Sequence, residues 1–281
     1  MLVILTAISL PLLLWMGIFL AVHRWPRRPV DERPDWGRCT DTYLPAADGG
    51  YLEVWRVTPA GPSKGVVVLA HGWSRNRGRM VPRARLFGQL GYTTILHSAR
   101  DHGRSSRHPL MNAARFGEDI MAVLDWVGQP VLLYGHSAGS AGAILATHLR
   151  CDRVKALFLE GCYADTETAL MSLYHWVHPL FGKTCGPLII ATLKLLYGRH
   201  RLRSYSPEVL ARDLDLPVML IHGGRDRRFP FAYARRLKKA FRNGNARLFV
   251  APEAGHSDSS LDPGYPMAVK AFVEAVEVQS P

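Results

Sequence analysis

Cysteine is scarce, and the four residues present, Cys39, Cys151, Cys162 and Cys185, lie far apart without a C-x-x-C pair. That scatter argues against a zinc site and against a disulfide framework. H-E-x-x-H pairs, P-loops and dinucleotide-type glycine fingerprints are also missing, so neither metal nor nucleotide is implied and no cofactor is expected. Internal repeats and low-complexity tracts are absent as well. Acidic residues are in deficit, 23 Asp and Glu against 35 Lys and Arg, which leaves a formal charge of +12. A basic surface attracts nucleic acid, yet no reader motif or stacking array accompanies it, and no nucleic-acid partner is expected. The same charge is drawn to anionic headgroups, at about 1 kcal/mol per basic residue near a membrane surface.

Charged side chains are wholly absent from residues 1–22. About 20 such residues span a bilayer as a helix, so this stretch is expected to be a transmembrane anchor, with Pro11 as a kink. A cleaved signal peptide is disfavoured, because no basic n-region and no small-residue cleavage site is visible. Arg24, Arg27 and Arg28 follow the span directly, and the positive-inside rule then puts the body of the protein in the cytoplasm. His23, Trp25 and Trp36 suit a membrane interface. Residues 23–50, rich in Pro, Asp and Arg, read as a juxtamembrane linker, and residues 51–281 as one domain with a sizeable core.

Within that domain, runs of alternating or continuous apolar residues read as strands separated by helices. Residues 51–57 alternate like an early antiparallel strand; residues 65–70, 92–97, 130–134, 154–159, 216–222 and 246–250 read as further strands. Such alternation predicts an α/β architecture, a mostly parallel sheet with helices on both faces and ligands at the carboxyl ends of the strands. Residues 163–215 interrupt the pattern. Within them, 170–177 and 188–196 look like apolar helices and are expected to form a lid.

The most informative run is Gly135-His136-Ser137-Ala138-Gly139, set between an apolar strand and a small-residue helix. This is the context of a nucleophile elbow: a tight strand-to-helix turn strains the serine backbone, lifts its Oγ clear of the sheet and needs flanking glycines. Ser137 is the candidate nucleophile. A base and an orienting acid must follow in chain order. Asp226 stands on a Gly-rich loop after a strand, and His256 on the loop after the next one. Glu160, at the tip of residues 154–159, is the rival acid. Strand 65–70 runs into His71-Gly72-Trp73-Ser74, and the Trp73 and Ala138 N–H groups are the candidate oxyanion donors.

Taken together, His71-Gly72-Trp73, Asp101-His102-Gly103-Arg104-Ser105, the elbow, His222-Gly223-Gly224-Arg225-Asp226 and Gly255-His256 resemble, in order, the α/β-hydrolase superfamily. Within it the resemblance is to serine aminopeptidase-like and monoacylglycerol lipase-like hydrolases, from about residue 50 onward. It implies a triad of Ser137, Asp226 and His256. The loop Asp101 to Ser105 departs from the usual motif and is read as structural. Dehalogenase and epoxide hydrolase chemistry is excluded, since those members carry a carboxylate where Ser137 stands. The expected activity is cleavage of a carboxylic ester, lipid-like if the lid lines an acyl channel; a monoacylglycerol or a lysophospholipid fits. Two alternatives stay open: an aminopeptidase or amidase, and a non-catalytic membrane-tethered binding protein.

Overall fold

The computed structural model describes residues 13–21, 27–242 and 244–279. Eight strands make one sheet: β1 (Arg38–Pro45), β2 (Tyr51–Thr58), β3 (Val66–Ala70), β4 (Thr93–His97), β5 (Val131–His136), β6 (Val154–Glu160), β7 (Val218–Gly223) and β8 (Ala246–Ala251). Their order is β1-β2-β4-β3-β5-β6-β7-β8. β2 is antiparallel to both β1 and β4, and every later pairing is parallel.

β3, β5 and β7 are buried along their whole length, which is why they read as unbroken apolar runs: both faces of a parallel sheet are covered. Alternate residues serve opposite faces. Val66, Val68 and Ala70 join Ile120, Val123 and Leu124 of α3 (Ala113–Val127) and Ile144 of α4 (Ala138–Leu149). Val67 and Leu69 join Phe87 of α2 (Val81–Gln89) and Val269, Phe272 and Val273 of α10 (Tyr265–Gln279). α9 (Ala232–Ala240) adds Leu237 to the first face. Local signals set the helix ends: Asn112 caps α3 by accepting from Arg115 N–H at 3.0 Å, and Gly128 ends it at φ 72°.

The interruption between β6 and β7 is helical. It comprises α5 (Thr166–Val177), α6 (Pro179–Tyr197), α7 (Arg199–Ser204) and α8 (Pro207–Leu210). Asp165 starts α5 by accepting from Thr168 N–H at 2.9 Å. Residues 13–21 are helical too and form α1. Phe19 of α1 is buried with Tyr174, Ile189, Ile190 and Leu193, and Trp15 Nε1 donates to Thr192 Oγ1 at 3.2 Å.

Two expectations about the N-terminal region meet the structure differently. Residues 1–12 and 22 of the expected span lie outside the described residues, as do His23 and Trp25 of the expected interface and Arg24 behind the span. Trp36, the third expected interface residue, is partly buried and packs against the core cluster that includes Val81 and Phe87. Among the described residues, the helix long and apolar enough to cross a membrane is α6, inside the chain. The linker expected over 23–50 needs correcting: residues 38–45 are strand β1, hydrogen-bonded along β2. Most β1 side chains are exposed, so an edge strand of this kind has no apolar alternation to betray it. Ahead of it, Arg28 N–H donates to Ser74 O at 2.8 Å and Val30 N–H to Asn76 Oδ1 at 2.8 Å, which fastens the preceding segment to the loop after β3.

Candidate active site

Ser137 sits between β5 and α4 at φ 55° and ψ −116°, a backbone state that L side chains rarely adopt. Its neighbours permit this. A Cβ on Gly135 would come within 2.5 Å of Gly139 O, and one on Gly139 within 2.5 Å of His71 O, so the turn closes only with glycine at both places. Ser137 N–H donates to Glu160 O at 2.8 Å, and Ser140 Oγ–H reaches Gly135 O at 2.7 Å and Glu160 O at 2.9 Å, tying the turn to the end of β6.

The structure brings the three distant residues together. His256 Nε2 lies 2.9 Å from Ser137 Oγ, and His256 Nδ1 lies 2.7 Å from Asp226 Oδ2. A carboxylate only accepts, so Nδ1 carries the ring proton and Nε2 is left free to accept from the hydroxyl. Asp226 Oδ1 accepts from the Arg228 and Phe229 N–H groups at 2.8 and 3.0 Å. Burial pushes the Asp226 carboxyl up, but the bond to His256, the imidazole charge and the Phe229 N–H outweigh it and hold the group below its usual range. The edge of Phe229 packs on the His256 ring at 5.0 Å between centroids.

Glu160 does not meet His256. Its side chain is fully enclosed and receives two bonds from Arg83, at 2.6 Å each, and one from Tyr134 Oη at 2.8 Å. Burial opposes its charge, yet the Arg83 guanidinium prevails and draws the carboxyl down to about 2. Arg83 also donates to Ser257 O at 2.9 Å, beside His256. Sequence reasoning missed Arg83. A carboxylate at the end of so apolar a strand was the available signal, since it demands a buried cation.

Trp73 and Ala138 lie on either side of the serine. Ala138 is the first residue of α4, so its N–H has no intrahelical acceptor. Trp73 N–H donates no backbone hydrogen bond among the described residues. Gly72 lets the β3 loop close in: a Cβ there would lie 2.9 Å from Ser137 Cβ. Two neutral histidines set that loop. His71 Nδ1–H donates to Gly72 O at 2.7 Å while Nε2 accepts from Ala99 N–H at 3.0 Å; His102 Nε2 accepts from Ser74 N–H at 3.1 Å. Burial lowers the pKa of His71 to about 4 and of His102 to about 2. The loop from Asp101 to Ser105 therefore builds structure, as its sequence suggested. Beside the serine, Trp73 and Ala138 pack on an apolar wall of Ala99, Met111 and Phe116. Among the described residues no group of three His, Cys, Asp or Glu side chains is placed to hold a metal ion, and the cysteines are free.

A family model described as serine aminopeptidase, S33, matches residues 61–198. With the sheet order and the elbow, this decides the superfamily. The chain is an α/β hydrolase. This α/β hydrolase is 27% identical over 239 residues to a monoacylglycerol lipase of Mycolicibacterium smegmatis, a match covering 73% of the chain and 84% of that relative. It is 33% identical over 110 residues to the human monoglyceride lipase, covering 37% and 36% of the two chains. An esterase of Pyrococcus furiosus superposes with a TM-score of 0.65 at 18% identity, covering 89% of this chain and 98% of that one. An esterase of Exiguobacterium antarcticum does so with 0.63 at 21% identity, covering 84% and 100%. The structural matches speak to the fold alone.

Proposed function

We propose that this α/β hydrolase cleaves carboxylic esters through an acyl-enzyme on Ser137. The reading is carried by the unbroken hydrogen-bond chain from Ser137 Oγ through His256 to Asp226. His256 takes the hydroxyl proton as Oγ attacks the carbonyl, and Asp226 orients the ring and stabilises the imidazolium. The oxyanion is held by the Trp73 and Ala138 N–H groups. His256 then gives the proton to the leaving alcohol, and water repeats the cycle on the acyl-enzyme.

The substrate is lipid-like. In support, the relatives include proteins named monoacylglycerol lipase and monoglyceride lipase, and the partly exposed Trp73 and Ala138, backed by the buried Met111 and Phe116, offer an acyl chain apolar contact. The helices α5 to α8 act as the lid over this crevice. Residues 1–22 anchor the chain in a membrane, with the domain on the cytoplasmic side; their freedom from charge and the arginines behind them support this. A reporter fused to the C-terminus reads that orientation directly, and activity on the far side would reverse it.

The aminopeptidase reading is the weaker one, because a free amine needs a carboxylate near the serine and the crevice is basic. The test is labelling of the detergent-solubilised protein by a fluorophosphonate, with hydrolysis of acyl esters of graded length. Labelling should vanish in Ser137→Ala, and turnover should fall by a factor of about 10⁴ to 10⁶ in both Ser137→Ala and His256→Ala. A folded wild-type protein that neither labels nor turns over would leave only the binding-protein reading.

A further inference from the structure

Around the serine, polarity is unevenly distributed. Trp73 and Ala138 are backed by the buried apolar cluster of Ala99, Met111 and Phe116. Arginines stand on the neighbouring segments: Arg75 two residues after Trp73, Arg228 two residues after Asp226, and Arg79 bonded to Ser257 O beside His256.

Arg228 follows Asp226 by two residues, and its carbonyl accepts from Ser172 Oγ of α5 at 2.7 Å. Its side chain reaches the helical insertion as well, with the guanidinium carbon 4.2 Å from the centroid of Trp176. Half-buried there, the guanidinium donates no hydrogen bond and makes no ion pair among the described residues. The charges that act on it are Asp226 on its own loop, Arg75 on the oxyanion-side loop and Asp258 on the His256 loop. Arg228 therefore stands near the segments that carry Asp226, Arg75 and Asp258.

Two more guanidiniums complete the group. Arg79 Nη2 donates to Ser257 O at 2.9 Å and lies 4.0 Å from Asp258 Oδ1, while its buried Nε–H has no partner. Arg75 Nη1 donates to Arg28 O at 3.3 Å. Asp258 is the carboxylate that Arg79 and Arg228 have in common, and its side chain is 55% exposed. Loss of water, the largest effect, lowers the pKa of Arg228; Asp226 and Asp258 oppose this and Arg75 adds to it, so the two carboxylates do not fully offset the burial of the charge. An arrangement of like charges with unspent donors is satisfied by an anion. Guanidinium forks suit phosphate in particular, and stacking on an indole fixes one of them in advance.

We propose that Arg228, Arg75 and Arg79 form a subsite for a phosphate group on the alcohol portion of the ester. The inference rests on Ser137 as the nucleophile and narrows the lipid-like substrate to a phosphate-bearing acyl ester.

The experiment compares kcat/KM for 1-butyrylglycerol 3-phosphate and 1-butyrylglycerol, both used as dissolved monomers so that no membrane surface contributes. Wild type should favour the phosphate ester about tenfold, equivalent to about 1.4 kcal/mol. Arg228→Gln should bring the ratio close to one, and Arg228→Lys should restore part of it. A loss of folding or lid closure lowers both rates and leaves the ratio where it was. Inorganic phosphate should inhibit turnover of the neutral ester in wild type and do so less in Arg228→Gln. A wild-type ratio near one, a ratio unmoved by Arg228→Gln, or equal inhibition of both proteins by phosphate overturns the subsite. Turnover of the neutral ester in any of those cases leaves the ester hydrolase standing, whereas absence of turnover and of fluorophosphonate labelling removes the hydrolase itself.

Discussion

Arg83 holds Glu160 in a two-point ion pair, 2.6 Å on each arm, with neither side chain more than 2% exposed. The pair does more than neutralise itself. Through its main-chain carbonyl Glu160 fixes the N–H of Ser137, and through its second donor Arg83 fixes the carbonyl of Ser257. One ion pair therefore spans the serine turn and the histidine loop, which approach each other from different strands.

Removing one partner of such a pair leaves a bare buried charge. Arg83→Met should lower unfolding stability by about 3–5 kcal/mol, read from equilibrium urea denaturation. Arg83→Lys keeps the charge and loses the fork, and should fall between the two. An Arg83→Met protein with the wild-type midpoint would show that the pair holds nothing together.

Acid should destabilise the protein in two stages. His71, His97 and His136 are buried and neutral, and desolvation, the largest cause, lowers their pKa values from 6.5 to about 4, 3 and 3. The unfolded chain takes up protons at these residues below pH 6.5 and the folded chain does not, so stability declines as pH falls from there toward about 3. Glu160 acts lower: its carboxyl is depressed from 4.5 to about 2, so its contribution is whole above pH 4.5 and fades as pH falls toward about 2. Urea midpoints at about pH 7.5 and about pH 5 should differ clearly in wild type and less in His97→Leu, whose ring nitrogen Nδ1 has no partner to lose.

The strained backbone at Ser137 gives an unusual ranking of substitutions. Glycine normally costs about 0.5–1 kcal/mol relative to alanine in regular structure. At φ 55° and ψ −116° the order should reverse, because alanine keeps the strain and glycine relieves it. Ser137→Gly should therefore melt above Ser137→Ala, both without activity, in parallel calorimetric scans. The normal order would mean that the turn is unstrained.

Sequence alone carried the elbow far, because Gly135, Ser137 and Gly139 are contiguous and the apolar run before them is unmistakable. Chain order and the family resemblance pointed to Asp226 as the acid that approaches His256, but the residues alone left Glu160 as a rival. Glu160 ends β6 and Asp226 lies on the loop after β7, and the reason Glu160 is not free to serve is Arg83, far away in the chain. Strand β1 was hidden for a different reason: it pairs through its backbone, leaves most side chains in water, and so writes almost nothing into the apolar pattern. Arg228 was visible only as one charge in a basic run, and its distinction comes from Trp176 and Ser172, on a helix that chain order does not place beside it.

The seam between residues 27–30 and the loop after β3 decides where a shortened protein can begin. Arg27 lies over the Trp73 ring and pairs with Asp101, and the N–H of Arg28 bonds Ser74 O, next to the residue proposed as an oxyanion donor. Trimming back to the first strand would strip these contacts from the loop beside Ser137. A shortened form for crystallography or screening must start no later than Arg27.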